Sequence, residues 1–110
     1  MSLNAVWVPG LPHILKPESS SHWLRCAQAL EKLGQKVEAE GYERLVLHST
    51  QWLSVLGTSF QAQPEPNGIH VDENWYDLGD LPFRFSCDEK LATAFATSLK
   101  AQKLPAKTVN

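Results

Sequence analysis

The 110-residue sequence has little cysteine and no long apolar run. Its 2 cysteines, Cys26 and Cys87, are far apart and lack the neighbouring ligands of a zinc finger, so we expect reduced core residues. A membrane-spanning helix needs about 18 or more consecutive apolar residues, and a signal peptide needs a basic segment before an apolar one. Neither pattern is present, which favours a soluble cytoplasmic protein that has no membrane partner.

A strong excess of charge of either sign is also missing. The 10 lysines and arginines are matched by 12 aspartates and glutamates, which gives a formal net charge of -2. Nucleic-acid-binding domains concentrate positive charge, so we predict no nucleic-acid partner. The 43% hydrophobic and 20% charged residues fit one globular domain spanning residues 1–110.

Two families of catalytic or binding motif are absent as well. The chain has no Gly-x-Ser-x-Gly sequence around a nucleophilic serine, which argues against a serine hydrolase. The 6 glycines are scattered and form neither a phosphate-binding loop nor a dinucleotide fingerprint.

The first half of the sequence predicts a strand, a helix and a second strand. Ala5–Val8 is a short apolar run that ends at Pro9-Gly10. Ser20 or Ser21 can cap a helix that ends at Gly41. The apolar residues of that helix recur at a spacing of three and four, and they are Trp23, Cys26, Ala27, Leu30, Leu33 and Val37. Leu45–Leu47 then resembles a strand of a parallel sheet that is buried on both faces.

The second half is less regular. Leu53–Phe60 fits either a strand or a short helix, and Gln61–Asp80 predicts a long loop with a functional or subunit-contact role. Ser86-Cys87-Asp88-Glu89 fits a capping box before a helix, and Ala106–Asn110 begins like a further strand. The apolar face of that helix is marked by Leu91, Phe95 and Leu99.

These elements predict an α/β fold with a mainly parallel sheet and helices packed on it. Because the sequence stops within a predicted strand, we expect an incomplete, N-terminal portion of a larger domain or a domain completed by another chain. In such sheets the carboxyl ends of neighbouring strands lie at one edge, where ligands bind. His13, after the first strand, and Gln51, after the second, are therefore expected to lie near each other. The alternative for His13 is an exposed loop histidine held between prolines.

The residues at these two turns resemble those of the class III extradiol ring-cleavage dioxygenases. In that family a strand leads into a proline-rich turn with an iron-binding histidine, which His13 matches. A second strand leads into a His-Trp turn, which Gln51-Trp52 matches except for the histidine. Three segments resemble a non-catalytic subunit of the family, and they are Ser49–Trp52, His70–Trp75 and Gly79–Phe83. The resemblance covers Val6 to Val109, which corresponds to the N-terminal part of the longer family domain.

The resemblance implies a specific deficiency at the metal site. Family members bind non-haem Fe(II) through two histidines and one carboxylate. Here Gln51 offers a neutral amide oxygen in place of imidazole, and the family's glutamate ligand falls beyond this sequence. His13 is then at most one of three ligands, so we expect no Fe(II) on this chain alone. The resemblance further implies a catalytic homologous subunit as partner and an aromatic substrate.

Four other features could contribute to a site. His48 could replace Gln51 as a ligand, although we expect a buried or half-buried structural histidine instead. His70 and Asp72 point the same way on an extended segment and could order the loop or contact a partner. Trp75 and Tyr76 could anchor an interface or pin the loop onto its own core. The loop's acidic residues lack the ligand pattern of a calcium loop and are expected to be solvated or at a subunit contact; they are Asp72, Glu73, Asp77 and Asp80.

Three hypotheses about function follow. The first is a catalytically silent dioxygenase subunit that associates with a catalytic homologue. The second is a fragment of an active ring-cleaving enzyme that uses His13, alone or with His48 and a carboxylate such as Asp72. The third is an interaction or ligand-binding domain that kept the fold and acquired a new role through the loop from His70 to Asp80.

Overall fold

The computed structural model of the chain describes residues 4–18, 21–49 and 52–110. The chain divides into two compact units, Met1–Ser49 and Thr50–Asn110. Each unit is considered by itself. The prediction of a single domain over residues 1–110 stays a prediction.

The first unit is built around one long helix, α1, which spans His22–Ala39. Ser21 is its N-cap, and the Ser21 hydroxyl accepts a hydrogen bond of 3.3 Å from the N–H of Leu24. Gly41 follows the helix with φ of 72°, a left-handed conformation that glycine adopts without strain. The N–H groups of Gly41 and Tyr42 donate to the carbonyls of Glu38 and Val37, at 3.0 and 3.4 Å. This Schellman motif confirms the predicted end of the helix.

A short 3₁₀ turn, Pro12–Ile14, contacts α1 within the same unit. The two predicted strands of this unit are wrong, because neither Ala5–Val8 nor Leu45–Leu47 forms regular structure. Both segments are exposed, with Trp7 at 99% and Leu47 at 80%. A strand requires a neighbour that pairs with its N–H and C=O groups, and an apolar sequence alone does not supply one.

In the second unit, the described residues 52–110 form four strands and one α-helix. The strands β1, β2, β3 and β4 span Thr58–Gln61, Asn67–His70, Leu81–Arg84 and Ala106–Val109, and the helix α2 spans Glu89–Ala101. β1 pairs with β4 in parallel and α2 packs against both strands. This arrangement confirms the α/β class and the predicted strand at Ala106. It also identifies the strand within Leu53–Phe60, which begins only at Thr58.

Small side chains let α2 lie close to the parallel pair. Ala92 and Ala96 are the buried residues of α2, and Ala106 of β4 is also buried. Phe60 of β1 stacks on Phe95 of α2 with ring centroids 5.7 Å apart. The core of this unit therefore combines alanines at the closest approach with one aromatic pair at the side.

The start of α2 differs from the predicted capping box. Asp88, and not Ser86, is the N-cap, and an Asp88 carboxylate oxygen accepts from the N–H of Leu91 at 2.9 Å. Cys87, which precedes the cap, donates its N–H to the carbonyl of Pro64 at 2.8 Å. That bond extends the neighbouring β ladder through Cys87, so the helix begins two residues later than a cap at Ser86 would place it.

The remaining strands, β2 and β3, form an antiparallel hairpin with Gly68 opposite Phe83. The prediction of one long loop over Gln61–Asp80 is therefore wrong, since β2 lies inside it. Asn67-Gly68 resembles a turn sequence, yet a Cβ on Gly68 would lie 3.1 Å from the Phe83 ring. The glycine admits a cross-strand aromatic ring and does not reverse the chain.

No helix within the described ranges combines the length and apolar character needed to cross a membrane.

Candidate functional site

His13 lies in the 3₁₀ turn and faces α1. Its imidazole stacks on the indole of Trp23 with ring centroids 5.4 Å apart and an angle of 19° between the planes. The side chain is half-buried, and its Nδ1 atom is buried. The structure therefore does not support the alternative of a loop histidine in open solvent. The role of His13 as a metal ligand stays a prediction.

Gln51, the other candidate ligand, lies outside the described residues together with Thr50. Its flanking residues Ser49 and Trp52 are exposed and belong to no strand or helix. The expected proximity of His13 and Gln51 stays a prediction.

His48 corrects the expectation of a buried or half-buried structural histidine, because its side chain is exposed. The expectation depended on Leu45–Leu47 being a strand within a sheet. Since that segment pairs with no strand among the residues that the structure describes, no sheet of those residues encloses the histidine that follows it. His22 is also exposed, as the first residue of α1, and its Nδ1 lies 2.7 Å from an Arg25 guanidinium nitrogen.

His70 and Asp72 do lie together, at the end of β2. The Nε2 of His70 is 3.7 Å from one Asp72 carboxylate oxygen. The other oxygen accepts hydrogen bonds from the N–H groups of Asn74 and Trp75, at 2.9 and 3.1 Å. This geometry is an Asx turn, in which a carboxylate fixes the backbone two and three residues ahead. These contacts tie Asp72 to its own loop, and the predicted role of His70 and Asp72 in ordering the loop or contacting a partner stays a prediction.

The electrostatics of Asp72 follow from these contacts. The hydrogen bond from the Asn74 N–H is the main cause that lowers the pKa of Asp72 below its usual value of 3.8. Burial opposes this shift, while the Trp75 N–H and His70 favour it. Asp72 is therefore an ionised carboxylate at neutral pH that is already engaged by two backbone donors.

The two aromatic residues after Asp72 differ in their exposure. Trp75 is half-buried, whereas Tyr76 is 75% exposed and begins a 3₁₀ turn that spans Tyr76–Leu78. Gly79 ends the turn with φ of 74°, and β3 starts two residues later. Trp75 is therefore the less exposed of the two rings, and the predicted roles of this pair, to anchor an interface or to pin the loop, stay predictions.

An Fe(II) site of the resembled family would require two histidines and one carboxylate to converge on one point. Within residues 4–18, 21–49 and 52–110, no three His, Cys, Asp or Glu side chains converge as metal ligands. His13 packs against an aromatic ring, His48 lies in an irregular segment and Asp72 binds its own loop. The described residues of this chain do not fit an Fe(II) site of two histidines and one carboxylate.

Trp23 also contributes to this site, through its ring contact with His13, although the sequence predicted only a place on the apolar face of α1. The signal was present, since Trp23 belongs to the apolar face of α1 and the turn at Pro12 precedes that helix. The periodicity identified which face is apolar, but it does not specify the side chain that covers it.

No protein-family model matches the chain. Over 107 residues, or 96% of its length, the chain is 36% identical to the 2-aminophenol 1,6-dioxygenase alpha subunit of Pseudomonas sp. The match covers 39% of that relative, so the chain spans about two fifths of the relative's length. This similarity supports the predicted resemblance to a subunit of an extradiol dioxygenase.

Proposed function

We propose that the chain is part of a non-catalytic subunit of a class III extradiol dioxygenase, which opens the ring of 2-aminophenol or a catechol-type compound. A homologous subunit, which binds the Fe(II), performs the reaction. The main support is the 36% identity over 96% of the chain to a protein named as the alpha subunit of such an enzyme. That name describes the relative as a subunit, and we propose the same role for this chain.

The residue at position 51 supports the non-catalytic role. By resemblance, the family places an iron-binding histidine there, and this sequence has glutamine. An amide oxygen is a neutral and weaker donor than imidazole nitrogen for a divalent first-row metal. Trp52 keeps the frame of the motif, so the change affects the ligand and not the surrounding pattern.

The geometry around the other candidate ligands agrees with this role. One oxygen of Asp72 accepts two backbone hydrogen bonds and the other lies 3.7 Å from His70. The oxygen that accepts the two backbone hydrogen bonds is thus already used within its own loop. In this proposal the catalytic partner therefore supplies the iron ligands and the substrate pocket.

The loop between β2 and β3 provides a surface for that partner. Asp72 and Trp75 hold the loop in one conformation, and Tyr76 is left 75% exposed. Tyrosine is enriched in protein interfaces because it combines a large apolar area with a hydroxyl group. An ordered loop also loses little conformational entropy on binding. We propose that Tyr76 contacts the catalytic subunit.

The test is to purify the chain alone and with the catalytic subunit of a 2-aminophenol dioxygenase, anaerobically and with excess Fe(II). We expect the two proteins to co-elute in size-exclusion chromatography, with iron and ring cleavage present only when the catalytic subunit is present. The matched variant Gln51→His should still lack activity alone, because one restored histidine does not complete a three-ligand site. Tyr76→Ala should weaken co-elution while Tyr42→Ala, in the other unit, should not.

Two results would contradict the proposal in different ways. One equivalent of tightly bound iron with ring-cleaving activity from the chain alone would establish an active enzyme. A stable monomer that never co-elutes with the catalytic subunit would instead favour an interaction or ligand-binding domain with a new role.

A further inference from the structure

We infer that His13 is a packing residue, which holds the Pro12–Ile14 turn against α1, and that it no longer acts as a metal ligand. This inference rests on the proposed non-catalytic function, which leaves open why His13 is present when its partner ligand is glutamine. The structure supplies a reason that is independent of iron.

The ring contact between His13 and Trp23 supports a packing role. The His13 and Trp23 rings are 5.4 Å apart between centroids and only 19° from parallel. An offset stack of this kind adds stabilisation beyond the apolar area that it buries. The turn is three residues long and none of its residues is fully buried, so the contact with Trp23 covers a side chain that is otherwise only half-buried.

The surroundings of the His13 ring nitrogens do not resemble a metal site. Nδ1 of His13 is buried within the protein. A metal-binding histidine usually works within a set of ligands whose other members are fixed in place around the same point. Within the ranges that the structure describes, no such set of three ligands forms around His13 or elsewhere.

A packing role and a metal-binding role require different side-chain chemistry at position 13. A stack needs a flat ring of suitable size, and phenylalanine meets that need without any nitrogen. A metal ligand needs the nitrogen, and phenylalanine cannot replace it. The pair of variants His13→Phe and His13→Ala therefore separates the two roles within one position.

The first measurement is thermal unfolding of the full chain. We expect His13→Ala to lower the midpoint by roughly 4–8 °C, as an aromatic pair does in a domain of this size. His13→Phe should retain at least half of that stability, and the exposed control His48→Ala should leave the midpoint unchanged. A midpoint that is unaffected by His13→Ala, or lowered as far by His13→Phe, would overturn the inference.

The second measurement is an NMR titration of the histidine ring protons with Fe(II) alone, under anaerobic conditions. Before iron is added, stacking should shift the His13 signals upfield, and Trp23→Leu should remove that shift. On titration, His13 should broaden no earlier than the exposed His48. Selective, saturable broadening of His13 would show a ligand and overturn the inference.

These results are distinct from a failure of the proposed function. If the wild-type chain fails to co-elute with the catalytic subunit, the proposed function is wrong, but the response of His13→Phe still tests the packing role. If co-elution occurs and His13 binds Fe(II) selectively, the subunit proposal stands and the packing role does not.

Discussion

The two units of the chain differ in how far they bury their apolar residues. In the second unit, Ala106–Val109 pairs with β1 and lies beneath α2. In the first unit, Ala5–Val8 and Leu45–Leu47 lie exposed and outside any strand. The buried hydrophobic residues among those described all belong to the second unit; they are Ala62, Leu81, Ala92, Ala96 and Ala106. The difference shows that apolar character becomes structure only where a neighbouring element covers it.

We expect one glycine substitution to disrupt the second unit and another to stabilise the first. Gly57 has φ of 82°, and a Cβ there would lie 2.1 Å from the carbonyl oxygen of Pro105. Gly57→Ala should therefore separate β1 from β4 and cost about 3 kcal/mol or more in the free energy of unfolding.

Gly34 provides the matched control in α1, where an added Cβ meets nothing within 4 Å. Gly34→Ala should raise the unfolding free energy of the first unit by up to about 1 kcal/mol through helix propensity. Urea unfolding followed by circular dichroism checks both values. Equal stability of the two variants would contradict the account of β1 and β4.

Truncation of an apolar side chain should also distinguish the two units. Phe60→Ala removes one partner of the Phe60–Phe95 stack and should cost roughly 2 kcal/mol, because a half-buried ring is lost. Leu47→Ala removes a side chain that is 80% exposed and should change stability by less than about 0.5 kcal/mol.

Both truncations are measured by urea unfolding of the chain alone. A large loss in Leu47→Ala would indicate that Leu45–Leu47 is covered in solution, which would remove the contrast between the units. The measurement can then be repeated in the presence of the catalytic subunit, where a newly appearing cost would locate a segment that the complex buries.

The smallest expected effect concerns pH and the loop after β2. Because the pKa of Asp72 is lowered below 3.8, its ionised form stabilises the folded loop at higher pH. That contribution should disappear as the pH falls below 3.8 and the carboxylate becomes protonated. Amide NMR signals of Asn74 and Trp75 should follow this titration, while Asp72→Asn should abolish it. A titration that persists in Asp72→Asn would assign the effect to another group.

Local elements were the most predictable part of the fold. Ser21 and Gly41 specify both ends of α1 through hydrogen bonds to residues within three or four positions. The start of α2 was misplaced by two residues, since both Ser86 and Asp88 can cap a helix and the strand ladder uses Cys87. β2 was missed because a glycine that accommodates Phe83 resembles a turn glycine in sequence.

In the candidate site, too, only contacts between residues that are close in sequence were predictable. His70 and Asp72 meet because alternate residues of an extended segment share a face. The exposure of His48 was not predictable, because it depended on whether Leu45–Leu47 found a strand partner. The stack of His13 on Trp23 required the path of the chain between the turn and the helix.

Histidine at position 13, glutamine at position 51 and the two ends of α1 can all be identified from the amino-acid sequence. These features depend on side-chain chemistry and on hydrogen bonds between near neighbours. The folded chain is needed to show that Ala106–Val109 forms a strand while Ala5–Val8 does not, and that His13 lies against Trp23. Those outcomes depend on which distant groups pair and pack, because a strand or a ring contact has no stability without its partner.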